Sequence, residues 1–202
     1  MELTQAIYMR RSTRKFLTTP IPDEWIEEML EAARRAPSPG NGQGHVFGVI
    51  KDAATKQLLA EAAGKQLWIA DAPVVFACCA DIGWDIAEQP EDDFGLIVNK
   101  LRFGVKFIDY MNRCPDRKTC STIFANAAPM IPAEHIFLTA VAHGLSACFI
   151  GYLDIKAANQ ILRLPENLAC TFLLPVGYAA ETPQEKQLKE LSEIVFYEQW
   201  DA

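Results

Sequence analysis

Residues 133–151 read AEHIFLTAVAHGLSACFIG, and the parsing of the chain follows from this stretch. Its first half carries Ala133, Phe137, Ala140 and Val141 at helical spacing, with small residues that allow close packing. Gly144 ends the helix, and Leu145–Gly151 follows as a strand-length apolar run. Upstream, the helical region reaches back to about residue 121. Ala125 and Ala128 continue the small-residue pattern there, and Pro129 and Pro132 break or kink this first part. Downstream, Asp154 opens a short helix to about Leu162. Cys170–Val176 reads as a strand, GYAAETPQE as a loop, and Glu193–Tyr197 as a last strand.

Further out, Pro73–Ala80 contains the charge-free run VVFACCA, which suits a central buried strand. His45–Lys51 fits another strand, and residues 52–63 fit a helix with Leu58, Leu59 and Ala62 apolar. Asp23 is expected to cap a helix whose stripe is Trp25, Ile26, Met29, Leu30, Ala33 and Ala36, and Pro37 stops it. Thr4–Met9 is a short helical segment, and Phe94–Met111 is amphipathic and helical. Residues 81–93 hold six acidic side chains and no basic one, which reads as solvated surface. Helices and strands mix irregularly, so no doubly wound fold of equal βαβ units is compelled.

The chain has 202 residues, and one domain with a real core is the default at that length. Nineteen Lys and Arg against 26 Asp and Glu give net charge -7. That balance disfavours a broad nucleic-acid or anionic-membrane surface, so neither partner is expected. No 18-residue charge-free apolar stretch exists to span a membrane. The start, MELTQAIYMRRSTRKF, lacks the apolar run and cleavage site of a signal peptide. Of six cysteines, Cys78, Cys79, Cys148 and Cys170 sit in apolar segments as small hydrophobes. Cys114 and Cys120 frame CPDRKTC, a spacing that matches no metal or iron–sulfur pattern. Reduced thiols, a cytoplasmic location and no metal site are the expectation.

Three stretches could carry chemistry. Arg10-Arg11-Ser12-Thr13-Arg14-Lys15 packs four cations and two hydroxyls into six residues of an acidic protein. In an extended segment Arg10, Ser12 and Arg14 share a side, and two guanidinium forks with a hydroxyl suit a phosphate. On periodicity alone a solvated charge run reads as well. Pro37-Ser38-Pro39-Gly40-Asn41-Gly42-Gln43 offers turn backbone and the polar groups of Ser38, Asn41 and Gln43 for a heterocycle edge. It matches no nucleotide signature and reads equally as a plain turn. Leu145–Tyr152 ends in Gly151-Tyr152, where a backbone N–H could approach a flat ligand, or it is an ordinary core strand.

In this order and spacing the pieces resemble the FMN-dependent nitroreductase family. The basic segment lies near the N-terminus, and PSPGNGQ follows the first long helix. APVVFACCAD resembles the family's next strand, AEHIFLTAVAHGLSACFIG its central helix and strand, and LPVGYAAETPQEK its late strand and glycine–tyrosine turn. The resemblance covers most of residues 1–80 and 127–200. It implies an α+β fold with a mostly antiparallel central sheet wrapped by helices. It also implies a homodimer with flavin sites at the interface and a C-terminal strand, within SEIVFYEQW, exchanged onto the partner.

The resemblance further implies FMN as cofactor and NADH or NADPH as electron donor, with a small nitroaromatic, quinone or similar acceptor reduced in ping-pong fashion. No protein nucleophile is needed, because the flavin N5 carries the hydride. Arg10, Ser12 and Arg14 would bind the phosphate, with Arg11 near the ribityl chain or ring. Pro37, Ser38 and Asn41 would line the flavin, with Pro37–Pro39 contributed by the partner and Gln43 nearby. Phe149, Ile150 and Gly151 would lie over the other face, and Lys65 or Gln66 would reach the pyrimidine edge. The family's C-terminal arginine is replaced by Leu188, which leaves its role to Lys186 or Lys189. Residues 81–126 form a variable segment whose Trp84, Phe94, Phe103, Phe107 and Tyr110 could cover the flavin. Other readings of the same residues are a flavin sensor or store without turnover, and an FMN enzyme of different chemistry such as reductive dehalogenation.

Overall fold

A computed structural model describes residues 1–38, 41–83, 90–106, 127–183 and 186–199. The elements, in chain order, are α1 (Leu3–Met9), α2 (Asp23–Arg34), β1 (His45–Ile50), α3 (Ala53–Ala62) and β2 (Val74–Asp81). They continue with α4 (Phe94–Phe103), α5 (Met130–Ala142), β3 (Ser146–Ala147), α6 (Ile155–Leu162) and β4 (Leu168–Gly177). Short 3-10 turns stand at Leu67–Asp71 and Leu191–Glu193.

The strands form one sheet in the order β1-β2-β4-β3, and every neighbouring pair is antiparallel. Helices cover both faces. Val74, Phe76 and Cys78 of β2 face α2 and α5, where they meet Ile26, Met29 and Phe137. Val75, Ala77 and Cys79 face the other way, toward Leu59 of α3 and Ala158 of α6. Fully burying each Val, Leu or Phe is worth roughly 1.5–3 kcal/mol, so the two cores hold the sheet from both sides. The expected α+β architecture and mostly antiparallel sheet are therefore present.

Local sequence explains most boundaries. Ile26, Met29 and Ala33 give α2 its buried stripe. Asp52 and Asp154 cap α3 and α6, each accepting from the backbone N–H three residues on. Asp23 does not cap α2. It is the first helical residue, Pro22 precedes it, and its carboxylate pairs with Lys51 instead. Pro132 does not kink α5. It falls in the first turn, where a missing N–H costs no intrahelical bond. The long helix expected from Phe94 is interrupted at Gly104, whose φ of 77° a side chain would resist.

Two strands differ from expectation. The run Leu145–Gly151 yields only Ser146–Ala147 as regular strand, although Ile150 still pairs with Leu173 in the same register. Between them the Cys148 N–H donates to the Pro175 carbonyl, but Pro175 has no N–H to return. The expected strand Glu193–Tyr197 is absent in this single chain. The Leu191–Glu193 turn is followed by irregular backbone, and Ile194, Val195 and Tyr197 are exposed. Among the described residues no helix is long and apolar enough to cross a membrane. Residues Trp84, Phe107, Tyr110, Cys114, Cys120, Ala125 and Trp200 lie outside the described residues.

Gly177 closes β4 where its chain touches the loop before β2. A Cβ there would stand 2.5 Å from Pro73 Cδ and 3.1 Å from Phe16 Cδ1. Gly177→Ala is expected to destabilise the fold by about 1–3 kcal/mol through overpacking. Urea unfolding followed by circular dichroism checks this, and an unchanged midpoint would contradict the contact.

Candidate functional site

The basic segment lies against the edge of the sheet. Ser12 bridges Ala147 in parallel, and the Thr13 N–H donates to the Ala147 carbonyl at 3.1 Å. Farther on, Leu17 N–H bonds to Tyr178 O and Ala180 N–H to Lys15 O, so the segment also crosses the end of β4. This pairing fixes the side-chain alternation. Thr13 points inward and is 2% exposed, while Ser12 and Arg14 are exposed.

Arg14, Ser12 and Arg10 all act on the Cys148 thiol. Burial pushes that thiol up, while the Arg14 charge, a hydrogen bond with Ser12 and the Arg10 charge pull it down. The Arg10 guanidinium lies over the Phe137 ring, 5.1 Å from its centroid. Arg11 donates to the Tyr8 and Arg10 carbonyls at 2.6 and 3.0 Å. Lys15 is taken up by Glu181 at 2.8 Å. Among the described residues none of Arg10, Arg11 and Arg14 has a carboxylate within ion-pair distance. Burial raises the half-buried Glu134 carboxyl, and Arg10 and then His135 lower it, so Glu134 acts on Arg10 only at longer range.

A second grouping joins Gly64–Gln66 to the turn after β3. Gly64 has φ 72°, and a Cβ on it would stand 2.7 Å from the Tyr152 ring, so that ring lies directly on its backbone. Asp154 N–H bonds to Ala62 O at 2.9 Å and clamps the two turns together. Lys65 is exposed here with φ 61°, and the Gln66 side-chain amide donates to Ala63 O. Gly151 is open, with nothing within 4 Å of a Cβ placed on it. Phe149 and Ile150 point into the core. Phe149 packs tilted against Phe137 and Phe172, and Ile150 is buried. The backbone N–H and C=O of Ile150 are both bonded to Leu173, which leaves Gly151 as the open position of the turn.

The third grouping is the loop after α2. Gln43 N–H donates to Ser38 Oγ at 3.0 Å and Asn41 N–H to Ser38 O at 3.0 Å. Asn41 and Gln43 adopt φ of 56° and 48°, the left-handed conformation of a tight turn. Pro37 is exposed, and Pro39 lies outside the described residues. Among the described residues no hydrogen bond joins this loop to the basic segment. Lys186 and Lys189 are exposed, and Leu188 is 80% exposed. Phe94 is exposed at the start of α4.

The residues present fit a flat, phosphate-bearing ligand. Among the described residues the guanidinium donors of Arg10 and Arg14 have no carboxylate at ion-pair distance, while Thr13 turns its hydroxyl inward, on the other side of the segment from Ser12 and Arg14. Gly151 leaves open space next to backbone donors. Sequence reasoning missed Thr13, Glu134 and Cys148 here, and treated Phe137 as packing alone. The one available signal was adjacency, since Cys148 directly follows the residue that pairs with Ser12. The histidines serve structure. His135 Nδ1 lies 3.0 Å from Ala32 O, and His143 stacks on Trp25 with Nε2 2.8 Å from Glu28 Oε2.

The sequence profile of the nitroreductase family matches residues 7–178. The chain is 29% identical to a protein named NADH dehydrogenase from Thermus thermophilus over 98% of its own length and 96% of that protein. It is 35% identical to an FMN reductase [NAD(P)H] from Bacillus subtilis, covering 96% of this chain and 62% of the relative. The NADPH:FMN oxidoreductase of Vibrio harveyi, solved with NAD+, shares the fold at TM-score 0.77. The match has 23% identity and covers 99% of this chain and 78% of that one.

His45 follows the Ser38–Gln43 loop, with its backbone N–H bonded to Gln43 O at 2.8 Å. Its Nδ1 is buried without a partner, and burial holds its pKa below the ordinary 6.5. As pH falls below that value the unfolded chain takes up the proton first, so folding stability declines. His45→Gln should lose less stability than the unmodified chain between about pH 7 and pH 5. Denaturant midpoints measured across that range check it, and parallel curves would contradict it.

Proposed function

The chain belongs to the nitroreductase family, and from that premise we propose that it is an FMN-dependent NAD(P)H oxidoreductase acting on a small nitroaromatic, quinone or similar acceptor. The observation that carries this reading is the basic segment laid along the sheet edge through Ser12, Thr13 and Ala147, where among the described residues neither Arg10 nor Arg14 has a carboxylate at ion-pair distance. When bound, FMN would supply the redox chemistry, passing electrons between the nicotinamide and the acceptor.

The chain's own residues bind, orient and polarise. Arg10 and Arg14 hold the phosphate by charge-assisted hydrogen bonds, and the Ser12 hydroxyl adds a donor. Arg11, already directed by two carbonyls, lies near the ribityl chain or ring. The open backbone at Gly151, fixed on Gly64 through Tyr152, presents an N–H to the flavin face. Lys65 or Gln66 reaches the pyrimidine edge, where a donor or cation stabilises charge developing in the reduced ring. Lys186 or Lys189 adds charge in place of the arginine that Leu188 lacks. Four free buried thiols suit the reducing cytoplasm.

The site is completed by a second copy of the chain. Pro37, Ser38, Pro39, Asn41 and Gln43 serve the partner's flavin, which accounts for a loop bonded only to itself. Ile194, Val195 and Tyr197 are exposed here, as are Leu3, Ile7 and Tyr8 of α1. A homodimer that receives the C-terminal segment as an added strand covers such surface.

Each charge-assisted hydrogen bond is worth roughly 1.5–3 kcal/mol, so Arg10→Ala and Arg14→Ala should each weaken FMN binding about ten- to hundredfold. Quenching of flavin fluorescence measures this, and unchanged affinity in both variants would refute the clamp. A chain truncated after Lys189 should lose dimer and flavin together. A monomeric full-length protein that still holds FMN, seen by light scattering with absorbance, would overturn the shared site.

A further inference from the structure

Among the described residues Arg10 is the one cation of the segment that rests on a ring. Its guanidinium carbon stands 5.1 Å from the Phe137 centroid. Phe137 itself is immobilised. It is fully buried on α5 and sits in a row of tilted rings, 5.7 Å from Phe149, which is in turn 5.5 Å from Phe172. A ring engages a guanidinium through the ring face and leaves the in-plane N–H donors free. A carboxylate in the same place would consume those donors and cancel the charge.

We propose that Phe137 is a positioning residue of the cofactor site, stationing Arg10 so that its unspent donors meet the FMN phosphate. The inference rests on the phosphate clamp proposed above and adds to it a reason for an aromatic residue at position 137. An aliphatic side chain of similar bulk would fill the core equally well but would leave the guanidinium free to swing. Nothing else from α5 pairs with Arg10 at short range, since Glu134 acts on it without an ion pair.

The test compares FMN with riboflavin, which has the same ring and ribityl chain and lacks the phosphate. Affinities of flavin-depleted protein are measured for both ligands in the unmodified chain, Phe137→Leu, Arg10→Met and the double variant. Phe137→Leu should lower the ratio of FMN to riboflavin affinity about fivefold, the scale of a partly desolvated cation–π contact. In the Arg10→Met background the same substitution should leave that ratio unchanged. If Phe137→Leu weakens both ligands alike, or lowers the ratio equally without Arg10, Phe137 is packing only and the proposal falls. If Arg10→Met leaves the ratio at its original value, the clamp itself is wrong and the proposal falls with it.

Discussion

The structure depends on β2 being buried on both faces. Val74, Phe76 and Cys78 enter one core, and Val75, Ala77 and Cys79 enter the other. A strand so placed can carry no charge and needs a partner along each edge, and β1 and β4 supply these. In β4, Phe172 and Leu174 face one layer and Leu173 the other, and a register shift opposite Cys78 and Cys79 brings Cys170 to the Leu173 side. The middle of the sheet is thus closed to chemistry. Polar function is confined to its margin, where β3 and the basic segment lie.

Pro175 shapes that margin. It faces Val75 on one side without cost, because the missing N–H is directed toward residues 146–150. The ladder to β3 therefore breaks at Cys148 and resumes at Ile150. The break falls beside Ala147, whose carbonyl accepts from Thr13 and so anchors the basic segment. A regular six-residue strand would have left less freedom for the backbone between the clamp and Gly151.

Much of this was legible in the sequence, for identifiable reasons. Charge-free VVFACCA announced a central strand, and Asp52 and Asp154 stand where capped helices begin. The basic segment was visible because charge is unusual beside so apolar a helix. Other features depended on the partner element. The shortness of β3 is dictated by Pro175, nearly thirty residues away, and no local pattern reports it. The failure of Asp23 to cap follows from Lys51 competing for its carboxylate. Glu193–Tyr197 has strand character with no edge of its own chain to join. Phe137 reads as core because it is core. Its contact with Arg10 exists only once α1 is laid across α5.

Charge placement ties these features together. Several other cations of the described chain find carboxylates. Glu31 receives Arg34 and Arg35, which hold its carboxyl down at about 2, and Lys15, Lys51 and Lys100 each have an acidic partner. Such exposed pairs contribute little stability. They do show that an acidic protein has carboxylates to spare. Among the described residues Arg10, Arg11 and Arg14 have no carboxylate at ion-pair distance, and like charges gathered in one short segment repel one another. An anion removes that repulsion, and a ligand that binds only the folded chain stabilises it by mass action. On the proposed reading, folding and cofactor affinity would be coupled through one edge of the sheet, because the arginines that repel one another are those that would hold the phosphate.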